Sequence, residues 1–181
     1  ALVFHRRSIE MKREIGDKAG IASSLRNIGK VYLRMKRYGE ALETLREGLA
    51  INETGKQVRA LILLDMAQVY EETDQVKPAV NNANAAMLLG RELGAALIEQ
   101  NAHELLARLY KRTGDHKSAL ENYQRFIAIR DSLFNDKSAR RLAALQTNYE
   151  IDRQRIQIEL LTKEKALQSI FYSKLREKSK Q

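Results

Sequence analysis

The apolar positions of this chain fall at helical spacing almost from end to end. Leu25 with Ile28, Leu63 with Met66, and Leu106 with Leu109 each put two large apolar side chains on one helix face, with polar residues between the stripes. Breaks in this pattern predict helices near residues 1–15, 18–35, 38–54, 57–73, 76–93, 96–113 and 116–134. Gly16, Gly55 and Gly94 stand 39 apart, each after a helical stretch, where a residue at positive φ closes a helix. Asn135, near the fourth such place, tolerates the same conformation, so four helices are expected to end by one device.

The pattern also repeats. Tyr32, Tyr70 and Tyr110 are separated by 38 and then 40 residues, and Ala41, Ala79 and Ala119 keep the same offsets. Three residues before each tyrosine stands a small residue (Gly29, Ala67, Ala107), and nine after it an alanine, which lets two helices approach closely. Large residue, small residue, tyrosine, short turn, alanine: this order resembles the tetratricopeptide repeat over about residues 1–134. The repeats are longer than the roughly 34 residues usual for that family. None ends in the family's proline, and Gly48 replaces a small alanine in the first copy. ALVFHRRSIEMKREI reads as the second helix of a truncated repeat, because Ala1 lies 40 before Ala41. The resemblance implies an all-α, right-handed superhelix of antiparallel helix pairs over residues 1–134, with a long C-terminal helix over 135–181.

Beyond Asn135 the repeat stops. Asn135 or Asp136 can cap a new helix, and neither glycine nor proline interrupts it from Ala139 to about Lys178, a helix of about 60 Å. Leu142, Leu145 and Tyr149 are expected to pack on the last repeat as its cap. Further along, Leu145, Ile156 and Leu167 are spaced by 11, as are Tyr149, Leu160 and Phe171. An eleven-residue period makes a nearly straight seam along which two helices can pair. A strict heptad would instead put Asp152, Glu159 and Lys163 in the seam. The alternative to a homodimer through this seam is a tail that is solvated and partly frayed.

The stretch from Ile129 to Ser169 also resembles the segment that joins tetratricopeptide arrays to the rest of membrane-bound bacterial sensors, such as histidine kinases and diguanylate cyclases. Asp131, Ser132, Leu133, Phe134, Asn135, Leu145, Gln146, Tyr149, Glu150, Ile158, Leu160, Leu161, Lys163 and Glu164 carry the likeness. It implies a sensory or docking module in signal transduction, with an output domain beyond Gln181. The chain starts without methionine and reads as a piece of a longer protein. Its rival is a free-standing adaptor whose long helix only caps the array.

Composition narrows the remaining choices. One proline and 44% hydrophobic residues suit packed helices. The absence of cysteine excludes disulfides and thiol chemistry. The net charge of +9 admits binding to nucleic acid as a third reading, but acidic residues interleave with basic ones in every segment. That is the pattern of a solvated helical surface, so a nucleic-acid partner is not expected. Apolar runs such as ALILL are too short to span a bilayer. The basic end SKLREKSKQ suits the cytoplasmic side of an adjacent membrane, whereas the sensor likeness places such arrays outside, so the compartment stays open between periplasm and cytoplasm.

The family resemblance places a peptide-binding groove on the first helices of the repeats. By register the first copy offers Ser23, Arg26, Asn27, Lys30 and Arg34; the second Asp65, Gln68, Glu71 and Glu72; the third Asn101, Glu104, Arg108, Lys111 and Arg112. A protein or peptide ligand held by Arg26, Asn27, Lys30, Gln68 and Arg108 is one reading, and merely solvated charges are the other. The tyrosines are read as core. No catalytic constellation is visible: His5, His103 and His116 are too scattered to ligate a metal, and there is no phosphate loop or nucleophile elbow. Neither an enzyme nor a cofactor is expected.

Overall fold

The computed structural model describes the backbone of residues 2–51 and 55–178, with side chains to residue 163 and at 165. Seven α-helices and no strand are present among these residues: α1 (Leu2–Glu14), α2 (Lys18–Arg34), α3 (Tyr38–Ala50), α4 (Lys56–Glu72), α5 (Val76–Glu92), α6 (Ala96–Arg112) and α7 (His116–Lys178). The fold class expected from the sequence is the one observed. The chain divides into two compact units, Ala1–Leu133 and Phe134–Gln181.

In the first unit consecutive helices pack on one another through short turns, and the first helix of each repeat also packs on the next repeat's first helix (α2 on α4, α4 on α6). The main core cluster runs from α1 to α6 and holds Ile28, Tyr32, Leu45, Met66, Tyr70 and Leu109, and a second cluster gathers Leu63, Leu64, Ala86 and Ile98. Tyr32 and Tyr70 are core residues, as their spacing predicts, and Tyr110 is partly buried against the same core. Two of them satisfy their hydroxyls against the preceding repeat: Arg6 donates to Tyr32 Oη at 3.3 Å and Arg46 to Tyr70 Oη at 3.0 Å. A buried phenol needs such a partner.

Within each repeat the two helices meet at a matched pair of positions. Gly29 faces Leu45, where an added Cβ would lie 2.6 Å from Leu45 Cγ and 3.4 Å from the Ala41 carbonyl oxygen. By register the same pair is Ala67 with Ala83, and Ala107 with Tyr123. Only the first of these pairs sets a glycine against a large side chain, so the close contact of Gly29 with Leu45 belongs to the first repeat.

The helix ends depart from expectation. Gly16 and Gly94 have positive φ, +72° and +61°, but Gly55 has φ −57° and starts α4 instead of ending α3. α3 stops at Ala50, and residues 52–54 of its expected end lie outside the described residues. Inside each repeat the left-handed residue is the fourth after the tyrosine: Lys36, Asp74 and Gly114. The amides of Arg37, Gln75 and Asp115 then reach back to the carbonyls of Tyr32, Tyr70 and Tyr110 at 2.9, 2.8 and 3.0 Å. This six-to-one bond satisfies an otherwise unpaired helix-end carbonyl and offsets the cost of positive φ at Lys36 and Asp74.

Asn135 ends nothing. α7 runs on from His116 to Lys178, because asparagine costs a helix only a few tenths of a kcal/mol and no glycine or proline follows Gly114. Leu142, Leu145 and Tyr149, the residues expected to form a cap, are exposed, Tyr149 by 70%.

The Gly29–Leu45 contact predicts that Gly29→Ala lowers stability by about 1–3 kcal/mol through overpacking. In a double-mutant cycle with Leu45→Ala by thermal or urea unfolding, the double variant should lose clearly less than the two single losses summed. Strict additivity would show that the two positions do not share this space.

Candidate functional site

The first helices of the repeats bring the predicted groove residues together, and the electrostatics differ from a simple basic–acidic–basic row. Arg26 on α2 donates from Nε to Asp65 Oδ2 on α4 at 2.6 Å, with Asp65 only 4% exposed. Burial pushes the Asp65 carboxyl above the usual carboxylate range, while the charges of Arg26 and Lys30 draw it back. Arg108 on α6 forks onto Glu71 of α4, Nε and Nη2 each at 3.0 Å, and its other terminal nitrogen lies 3.5 Å from Glu104. The Glu71 hydrogen bonds raise the Arg108 guanidinium's pKa further. Arg112 adds a bond to the Glu71 carbonyl at 3.0 Å and a pair with Asp74. Opposite charges from successive repeats thus face each other, and much of the groove's charge is spent joining the helices that line it.

What remains for a ligand lies toward the first two repeats. Asn27 and Arg34 are exposed, and Lys30 is half-buried. A depression of about 290 Å³ is lined by Leu33, Arg34, Lys36, Tyr38, Gln68 and Glu71, with Glu72 and Arg108 completing its wall. Basic side chains at its edge and an amide on its wall can take a carboxylate or the main-chain groups of an extended segment. Glu104 and Lys111 sit instead beside a separate depression at α6 and α7. No three His, Asp or Glu side chains are placed to hold a metal among the described residues.

The residues expected to form a helix-pairing seam are exposed on α7 as far as their side chains are described. Leu145, Ile156 and Leu160 are 58, 59 and 62% exposed, and Tyr149 lies with them. Leu167 and Phe171 are helical in backbone, but their side chains lie outside the described residues. No helix among the described residues is long and apolar enough to cross a membrane.

One polar core residue escaped the sequence reading. His103, 5% exposed, stands seven before Tyr110, as Leu25 and Leu63 stand before their tyrosines. Its Nδ1 lies 2.8 Å from Asn122 Oδ1, and the Asn122 amide nitrogen donates to the Ser118 carbonyl at 2.8 Å. With Asn122 held that way, Nδ1 carries the proton, and buried Nε2 has no hydrogen-bond partner. The signal was available as a histidine in register with two leucines.

Comparison with known proteins agrees with this geometry. Tetratricopeptide-repeat profiles match residues 1–54 and 102–137. Outer dynein arm-docking complex subunit 4 from Homo sapiens is 26% identical over 125 residues, 69% of this chain and 18% of that protein. The Danio rerio protein of that name is 22% identical over 139 residues, 77% of this chain and 28% of its own length. The chain therefore spans less than a third of these relatives. A crystal structure of MamA superposes with a TM-score of 0.53 at 19% identity, covering 72% of this chain and 73% of that one. A second MamA structure gives 0.51 at 21%, over 67% and 73%. The MamA likeness is one of fold.

The Arg26–Asp65 pair gives a pH-dependent prediction. Arg26→Met leaves a buried carboxylate without its partner and should cost about 2–4 kcal/mol near neutral pH. An acid whose folded pKa is raised binds its proton more tightly in the folded state, so its contribution to stability falls as pH rises above the ordinary carboxylate value. Losing Arg26 strengthens that bias, so the deficit measured by urea unfolding should be smaller at about pH 4.5 than at about pH 7.5. An equal deficit at both would mean Asp65 is not the group left unpaired.

Proposed function

This chain carries a tetratricopeptide-repeat domain, a protein-interaction module, and from that premise we propose that it is the sensory or docking part of a signal-transduction protein. A peptide or protein segment binds along the first helices, held by Asn27, Lys30, Arg34 and Gln68. Arg26 and Arg108 act chiefly by fixing the spacing of the helices. Binding is passed along α7, which pairs with the α7 of a second copy and leads to an output domain beyond Gln181.

The observation that supports this reading best is α7 itself. It is one unbroken helix from a repeat into a segment in which Leu145, Tyr149, Ile156 and Leu160, the described residues at eleven-residue spacing, are exposed. A row of that length exposed to water favours a partner, and a continuous helix can transmit a change of packing at one end to pairing at the other. The docking-complex relatives favour a second reading, in which the chain belongs to an assembly adaptor and α7 serves attachment alone.

Sedimentation distinguishes the two. In the first reading the full chain dimerises, and Leu145→Asp with Leu160→Asp makes it monomeric without changing the melting temperature of the array. A monomeric wild-type chain at high micromolar concentration would sink the coupling reading and leave the adaptor.

Groove binding is tested separately with a peptide selected from a random library for binding to the full chain. Asn27→Ala with Arg34→Glu, both exposed positions, should weaken that peptide by about tenfold or more, equivalent to 1.4 kcal/mol, with the melting temperature unchanged. Unaltered affinity would remove the groove from the proposal.

A further inference from the structure

The structure shows twice what the groove beside a repeat's two helices holds. α4 lies against α2 and α3, and α6 lies against α4 and α5. The third groove of this kind, between α6 and the start of α7, is a depression of about 570 Å³ whose floor includes Ala107, Ala119, Leu120, Tyr123 and Phe126. Leu120 and Tyr123 are 57 and 53% exposed. We propose that this groove seats an amphipathic helix of a partner protein, one that carries an acidic residue opposite Lys111 and a basic residue opposite Glu104.

The two filled grooves specify the occupant. In each, a charge on the seating repeat meets an opposite charge on the seated helix. Glu71, the residue after Tyr70, receives Arg108, two before Tyr110, and Arg26, six before Tyr32, donates to Asp65, five before Tyr70. In the third repeat these two seating positions are Lys111 and Glu104. Both signs are inverted, so the seated helix needs an acid and, three residues earlier, a base.

Size is inverted too. Gly48 seats α4, with an added Cβ 3.3 Å from Ile62 Cδ1, and Ala86, its equivalent, is buried with Ile98 and Ala102 of α6. The third equivalent is Phe126. An occupant with isoleucine at that point would collide with it, and one with glycine or alanine fits. The rim adds Arg108, Lys111 and His116 against the single acid Glu104, and the chain's net charge is +9. The local excess of basic groups at this rim assigns the seat to a helix of a different, more acidic partner.

The test uses the full chain and two labelled peptides built on the α4 sequence, residues 56–72. One carries Ile62→Ala, Asp65→Lys and Gln68→Glu; the other carries Ile62→Ala and Gln68→Lys and keeps Asp65. Fluorescence anisotropy should show saturable binding of the first, about tenfold or more tighter than the second. Leu120→Asp in the chain should weaken it by a similar factor, while Asn27→Ala with Arg34→Glu leaves it unchanged, which separates this seat from the ligand groove. Equal binding of the two peptides, no saturable binding, or indifference to Leu120→Asp would overturn the proposal. Self-association abolished by Leu120→Asp would also overturn it, by giving the seat to a second copy.

Discussion

The array depends on how closely two helices can approach. An isolated helical hairpin cannot bury its apolar face, so each pair must come near enough to the next to share one interior. Gly29 against Leu45 shows the limit, because there is no room for even one more carbon. At the equivalent positions of the second repeat stand two alanines, Ala67 and Ala83, both fully buried. Leu45, Ala41 and Ala79 are fully buried, and Tyr32 and Tyr70 lie across the junctions with their hydroxyls held by arginines of the repeat before.

Once that spacing is set, charges on neighbouring first helices are forced into register. Arg26 and Asp65, then Glu71 and Arg108, meet because α2, α4 and α6 stand side by side. The buried pair and the exposed pair differ in weight. Asp65 has lost its water and depends on Arg26, whereas Arg108 is half in solvent, so its ion pair contributes about 1 kcal/mol or less. Interaction surfaces of such arrays are thus partly consumed by the scaffold, and the residues left for ligands are those whose neighbours offer no opposite charge.

The turns show a related economy. Lys36, Asp74 and Gly114 adopt the same left-handed conformation although only one is glycine. The bond back to the tyrosine carbonyl, present in all three, determines the turn, and residue identity alters only its cost. α7 illustrates the converse: where no glycine-like stop and no returning bond exist, the helix simply continues, and the boundary between the two units falls inside it.

The sequence alone located the first six helices to within a few residues, the start of the seventh, their repeat and the spacing of their tyrosines. Apolar spacing along a helix is local, and each repeat restates it. It also held the clues to His103, aligned with Leu25 and Leu63, and to Phe126, aligned with Gly48 and Ala86. Only the tertiary structure decided that Arg26 and Arg108 are committed to Asp65 and Glu71, since those partners lie nearly forty residues away and meet through packing. It also decided that Gly55 starts a helix and that Asn135 stops none. A residue's tolerance for positive φ says where a helix can end, and the hydrogen bonds made across the turn decide whether it does.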